Sequence, residues 1–237
     1  DVTVYDENSE PGHRFHGDFQ GIENWSSVED AADLLNKIGI PVNRGKGFIF
    51  QPYKEIIVFD PRPTPLRGTH SESGSGTPAM TVVKSERPYF YLVERGSGLG
   101  SLDRMLLTAC EDAGVRVVFK KKVDMLKKGG IVGTGPKAAD AIAKGIIFNT
   151  TMEDTAAVIL DDNLAPQGYA YRLIHGGKGT IATCMFKEFK KEKECFERTL
   201  HSFGKAFPSL DIKDSKEFGG YGNFFFGKPA FENNKYY

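Results

Sequence analysis

The chain has 237 residues, with 31 lysines and arginines balanced by 31 aspartates and glutamates, 40% hydrophobic residues and 26% charged ones. That length is generous for one compact domain, and the composition is globular, which excludes a wholly disordered chain. The zero net charge argues against a nucleic-acid binder or an anionic-membrane binder, and no apolar run approaches the roughly 18 residues of a membrane span.

Asp1 to Tyr5 alternates like a strand and ends in the acidic pair Asp6-Glu7. No initiator methionine or signal-like segment leads into it, so the expectation is a strand with something missing upstream. Ser27, with Asp30 three residues on, reads as an Asp-for-Glu capping box. It opens a helix carrying Val28, Ala31, Leu35 and Ile38, which Gly39 and Pro41 stop. Phe48–Phe50 and Ile56–Phe59 read as a hairpin. In residues 61–79, 13 of 19 are proline, glycine, serine or threonine, which predicts a mobile loop near a layer boundary. Strands follow at Met80–Val83 and Tyr89–Val93. Ser101 caps a second helix with Leu102, Met105, Leu106 and Ala109 on one face, ended by Gly114, and Val115–Phe119 is the next strand. From residue 145 the pattern is mostly β: a strand at Gly145–Thr150, then a hairpin of Tyr169–His175 and Thr180–Phe186 about Gly176-Gly177-Lys178-Gly179. A long helix carries Phe189, Phe196, Leu200, Phe203 and Phe207 on one stripe, with the Lys/Glu run 187–194 toward water. The tail Phe218–Phe226 is rich in glycine and aromatics.

Three cysteines, Cys110, Cys184 and Cys195, form no CxxC pair, so a zinc ribbon or disulfide framework is not expected and a reducing, cytoplasmic setting fits. Glycine is frequent, 27 residues, and in α/β proteins it often marks places where backbone meets a ligand phosphate. An acid after a first strand, Asp6 or Glu7, is where a dinucleotide-binding unit holds its ribose, but the GxGxxG turn that should precede it is absent. Gly133-Thr134-Gly135-Pro136-Lys137-Ala138 matches GxGxxA, with Glu153 and Asp154 about 20 residues on, yet the strand before it is short and the helix after it has room for only about seven residues. His13, His16 and Asp18 form an HxxHxD run with no second cluster to complete a metal shell. Cys110 reads as core. His175, Cys184 and Asp161 make no convincing triad. Lys120-Lys121-Lys122 with Lys127-Lys128 reads as a solvated rim.

Several segments together resemble FAD-dependent oxidoreductases of the geranylgeranyl-reductase-like group, with the p-hydroxybenzoate hydroxylase fold. Val2-Thr3-Val4-Tyr5-Asp6-Glu7 and Ser9-Glu10-Pro11-Gly12-His13-Arg14 are similar to that family's second strand, ribose acid and glycine-plus-arginine turn. Tyr91-Leu92-Val93-Glu94-Arg95, Ser101-Leu102-Asp103, Leu106 and Ala113-Gly114-Val115 resemble its arginine, helix and strand entry. Ile131-Val132-Gly133-Thr134-Gly135 resembles its turn at the flavin. Ala165-Pro166-Gln167-Gly168-Tyr169-Ala170-Tyr171 resembles a strand of its substrate sheet. The family's N-terminal GxGxxG and C-terminal GD motif have no match, as in the middle of a larger flavoprotein, and Asp6 stands where Glu is usual.

The resemblance implies an α/β fold: an incomplete FAD-binding Rossmann-like layer interleaved with a mostly antiparallel substrate-binding sheet. Residues 1–45 and 89–150 would form the FAD-binding part, 46–88 and 151–228 the substrate part, and 229–237 the return. It implies FAD reduced by NAD(P)H, acting by reduction or hydroxylation on a small apolar, isoprenoid-type substrate. Residue by residue it assigns Asp6, with Glu7 as fallback, to the ribose and Arg14 to a phosphate or adenine-side charge. It assigns Val123 to the adenine through backbone, and Gly133, Thr134 and Gly135 to the flavin side. It names no catalytic acid or base, no metal and no nucleic acid, and it leaves oligomeric state and peripheral membrane contact open. Without the pyrophosphate turn, these 237 residues alone are expected to bind FAD poorly or not at all, although the full-length protein binds it. Two other readings stand beside it: an NAD(P)-binding enzyme using Gly133–Ala138, and a non-enzymatic module holding an apolar ligand on Phe218–Phe226.

Overall fold

The computed structural model describes residues 2–42, 47–63, 78–123, 129–135, 138–224, 231–232 and 235–236. Its centre is a seven-stranded mixed sheet. The strands are β4 (Glu55–Pro63), β5 (Pro78–Lys84), β9 (Ala141–Asn149), β10 (Thr155–Ile159), β11 (Tyr169–His175), β12 (Lys178–Met185) and β13 (Lys213–Gly222), in the order β13-β9-β12-β11-β10-β4-β5. All pairs are antiparallel except β10 with β4. The β11–β12 hairpin turns where expected. Gly176 and Gly177 both take positive φ (58° and 79°), the conformation a tight hairpin needs and side chains resist.

Pleating gives this sheet two faces. On one lies α3 (Glu192–Ala206), preceded by the short 3₁₀ turn Phe189–Lys191. Its stripe of Phe196, Phe203 and Ala206 packs on Phe59, Ile146, Phe148, Ala157, Ile159, Ile174 and Ile181. Each buried phenylalanine there contributes roughly 2–3 kcal/mol. Thr199 and Thr183 share a buried hydroxyl bond of 2.7 Å across this interface. The opposite face is covered by a three-stranded antiparallel sheet of β2 (Phe19–Glu23), β6 (Phe90–Glu94) and β3 (Gln51–Tyr53). Phe19, Tyr53, Phe90 and Leu92 meet Ala156 and Leu173 in that second core. Next to it, α1 (Ala31–Lys37) and α2 (Leu102–Asp112) bury Ala32 and Met105 with Leu35, Leu102, Leu106 and Tyr91. A parallel pair, β1 (Thr3–Tyr5) with β7 (Arg116–Val118), follows α2. Short strands β14 (Phe231–Glu232), β15 (Lys235–Tyr236) and β8 (Gly130–Ile131) form a third small sheet. The architecture is thus the expected α/β one, with a mostly antiparallel large sheet.

Several details differ from expectation. Helix α1 starts at Ala31 with Asp30 as its cap, not at Ser27. The Arg87 guanidinium binds the carbonyls of Ser27, Val28 and Glu29 and holds that segment out of the helix. Residues 48–50 form no strand, and β3 and β4 are not a hairpin: β3 pairs with β6, and β4 with β5 and β10. The expected loop at 61–79 is narrower, because β4 runs to Pro63 and β5 begins at Pro78, and the stretch between lies outside the described residues. Strand β9 sits inside the seven-stranded sheet, although the expected boundary at 150 places it with the cofactor-binding part. Strands β2 and β10 were not expected. No helix of the described residues is long and apolar enough to cross a membrane.

Candidate cofactor site

At the end of β1 the backbone of Asp6 is gripped from both sides of the 118–121 segment. Its amide donates to the Val118 carbonyl (3.0 Å), and its carbonyl accepts from Lys121 (2.8 Å). Its carboxylate Oδ1 accepts from the amide and side chain of Asn8 (2.8 and 2.9 Å), an Asx turn that reverses the chain. Glu7 is exposed and lies 3.8 Å from the Lys122 ammonium. Val123 follows, 37% exposed. Asp6, Glu7 and the 121–123 segment are therefore brought together at the open end of the parallel pair.

The turn after Asn8 is anchored on α2. Gly12 has φ +66°, and a Cβ there would lie 2.6 Å from the Gly96 carbonyl oxygen and 2.8 Å from Asp103 Cβ, so only glycine fits. Gly17 donates to the Arg95 carbonyl (2.9 Å), and Arg95 in turn to that of Asp18 (3.0 Å). The Arg95 guanidinium is held by Asp103 through two bonds of 2.9 Å, and the Gly96 amide adds a third to the same carboxylate. The ring of Phe15 lies flat against Arg95, 3.8 Å from its guanidinium carbon. Ser101 supports this from the helix start: its hydroxyl donates to the Gly96 carbonyl (2.5 Å) and accepts from the Arg104 amide (3.1 Å), the expected N-cap. Arg95 and Asp103 entered the sequence reading only as parts of a resemblance, not as site residues.

Arg14 leaves this turn and reaches the edge of the large sheet. Its Nη2 donates to the Tyr221 carbonyl (2.6 Å), and its guanidinium carbon lies 5.2 and 5.4 Å from the Phe15 and Tyr221 ring centres. Gly135 lies beside it: a Cβ on Gly135 would be 3.6 Å from Arg14 Nη1, and one on Gly133 would meet nothing. Gly133, Thr134 and Gly135 are all exposed. The structure thus brings Arg14 and Gly135 together, and brings Asp6 and Glu7 together with the 121–123 segment. An open cleft of about 500 Å³ lies along β13, lined by His16, Ala143, Lys144, Glu217, Phe218 and Tyr221 among others. Lys144 donates to Glu217 (2.7 Å), and this bond and charge hold Glu217 below the usual carboxylate range.

The remaining candidates resolve differently. Among the described residues no helix follows the GxGxxA match: β8 is two residues long, residues 132–135 are irregular, and β9 begins at Ala141, so these residues build no βαβ frame of an NAD(P) fingerprint. Asp154 instead accepts from the Gly176 amide (2.8 Å) and lies 2.6 Å from His175 Nδ1. Asp161 accepts from Asn163, and burial pushes the Cys184 thiol up to about 12. No triad forms. Asp18 is buried and accepts from the His16 amide and the Gln20 side chain. Among the described residues no three His, Cys, Asp or Glu side chains converge as metal ligands. Glu94, buried and paired with Lys178 at 2.8 Å, was not anticipated, nor was the His175–Asp154 pair. The only signal for either was an acid at the end of a strand opposite a hairpin.

No family model and no curated protein sequence matches the chain. Solved structures do. A geranylgeranyl bacteriochlorophyll reductase-like protein from Thermoplasma acidophilum superposes over 93% of this chain and 60% of its own, at TM-score 0.57 and 16% identity. A tryptophan 6-halogenase from Streptomyces toxytricini superposes over 99% and 60%, at TM-score 0.58 and 13% identity. A flavin-dependent halogenase from Xanthomonas campestris superposes over 99% and 59%, at TM-score 0.53 and 8% identity. The chain spans about 60% of the length of these structures, and it shares their fold.

Proposed function

We propose that this chain is the core of an FAD-dependent oxidoreductase that acts on a small apolar, isoprenoid-type substrate with NAD(P)H as electron source. The carrying observation is the meeting of Arg14 with Gly135 and with Tyr221, a residue that lines the cleft along β13. The fold shared with a flavin-dependent halogenase supports the cofactor class.

The residues fit the group. Asp6 makes both its hydrogen bonds through Oδ1, which leaves Oδ2 to accept from ribose hydroxyls. Glu7 lies beside it, and the Val123 backbone follows on the same side. Arg14 carries donors beyond the one spent on Tyr221, suited to a phosphate. Gly133 and Gly135 offer exposed backbone with no side chain to keep a planar ring away, and Thr134 between them is exposed as well. When bound, the flavin supplies the hydride or oxygen chemistry, and the protein contributes orientation and electrostatics. Asp103 fixes Arg95 and the 12–17 turn, and so fixes where Arg14 emerges. Phe218, Tyr221 and His16 give the cleft aromatic side chains along one side. We assign no acid or base.

The test is an absorption spectrum and FAD titration of the protein and of Asp6→Ala. Loss of a charged acceptor should weaken FAD binding by roughly 1.5–3 kcal/mol, about ten- to a hundred-fold. A full-length protein that purifies colourless and shows no flavin binding refutes the cofactor. Unchanged affinity in Asp6→Ala refutes the ribose role.

A further inference from the structure

Arg172 lies in the middle of β11, on the face of the large sheet covered by α3 and away from the cofactor cluster. It is fully buried, with Ala157 and Ile181 as its cross-strand neighbours. The Phe207 ring lies 3.6 Å from its guanidinium carbon. Around it are the apolar side chains of the main core, Phe203 and Ile174 among them. One donor, Nη2, reaches the Thr155 hydroxyl at 3.1 Å. Nε and Nη1 have no hydrogen-bond partner among the described residues. Burial alone moves its pKa, down to about 10, with no carboxylate contributing.

Buried cations in proteins are paired, because an unpaired charge in a low-dielectric core is strongly disfavoured. The ring of Phe207 and the carbonyl end of α3 offset part of the cost, but neither fills the two open donors. Thr155 uses its oxygen to accept from Arg172, so its own proton is left to donate. One cation, two unfilled N–H groups and a hydroxyl proton in an apolar enclosure match one negative charge. A doubly charged oxyanion would leave net charge in the core. At the rim, Thr151 donates to Asp211, whose charge is balanced by Lys213 at 3.0 Å.

We propose that Arg172 holds a small monovalent anion, of chloride or acetate size, between β11 and the C-terminal end of α3. This site is independent of the flavin reading. Thr155 opens β10, so entry is from the end of the sheet where residues 150–154 and 207–211 meet.

The experiment is thermal unfolding of the protein by circular dichroism at constant ionic strength, replacing sodium gluconate by sodium chloride and, separately, by sodium acetate. The midpoint should rise by about 3–5 °C for each tenfold increase in anion above its Kd. Arg172→Met fills the position with an apolar chain of similar length, a replacement buried ions often tolerate, and should abolish the dependence. A midpoint indifferent to both anions, or an equal slope in Arg172→Met, overturns the proposal. Chloride-35 line broadening on the unmodified protein, reversed by acetate, gives a second readout that needs no variant. Absence of that broadening overturns the proposal equally.

Discussion

Replacing Asp103 with alanine should both destabilise the fold and loosen the candidate cofactor turn. The carboxylate accepts two bonds from Arg95 and one from the Gly96 amide, all at 2.9 Å. Asp103 is 12% and Arg95 24% exposed, so the pair is mostly shielded from water. Removing one partner of a buried pair costs about 3–5 kcal/mol, and partial solvent access at Arg95 reduces this to about 2–4. For a chain of this size that is roughly 6–12 °C in Tm. Asp103→Asn should cost less, because its single carbonyl oxygen still accepts from Gly96 or Arg95 while its amide opposes the second guanidinium donor. A double replacement, Arg95→Met with Asp103→Leu, should recover much of the alanine loss, since the uncompensated charge is then gone. Thermal unfolding of the parent, Arg95→Met, Asp103→Leu and the double variant measures the coupling directly. A shift below about 2 °C in Asp103→Ala would refute the reasoning, showing that Arg95 is as well solvated without its partner.

Other outcomes follow from local geometry. Asp30→Ala should cost about 2–3 kcal/mol: burial alone would raise this carboxyl, but bonds from Tyr91, the Ala32 amide and Asn24 outweigh it and hold the group below its ordinary value of 3.8. A depressed carboxylate stabilises the fold above the unfolded pKa and loses that contribution as pH falls through the folded one, so the variant should unfold with a weaker acid dependence below about pH 4 in denaturant titrations. Gly168→Ala places a Cβ 1.9 Å from the Cys184 carbonyl oxygen, a backbone atom that yields little, and should cost more than about 3 kcal/mol or abolish soluble expression; a Tm within 2 °C of the parent would show that the strand shifts freely.

Legibility in the sequence followed the range of the interactions. The α2 start was readable because Ser101 caps within three residues of itself. The α1 start was not, because Asn24, Arg87 and Tyr91 set it from outside the helix. Strand β10 is Thr-Ala-Ala-Val-Ile, buried on both faces, so it shows no alternation, and Ala156 and Ala157 dilute the β propensity of Thr155, Val158 and Ile159. Strand β2 contains Gly21, which lies under the Phe90 ring where a Cβ would meet it at 2.9 Å, so the residue that lets the sheet close also erases the strand signal. Phe48–Phe50 is apolar because it packs on α1 and α2, not because it pairs. In the site, the acids at the end of β1 were legible from one segment. The meeting of Arg14 with Tyr221, 207 residues away, depends on how two sheets stack, which no local pattern carries.

That stacking separates affinity from stability in a way that can be read out. Asp6 bonds only to its own turn through its side chain, so losing its carboxylate should cost cofactor affinity while leaving unfolding nearly unchanged. Asp103 touches no ligand position, yet it fixes Gly96, against which Gly12 is packed with no room for a Cβ, and Gly12 sets the path of the chain to Arg14. Its loss should therefore reduce both stability and affinity, with affinity recovering in the Arg95→Met, Asp103→Leu protein only as far as Gly96 is again held in place. The two variants pull apart the chemistry of holding a ribose and the mechanics of presenting a guanidinium, and the proposed cofactor site, drawn from a strand end, an anchored turn and a sheet edge, requires both.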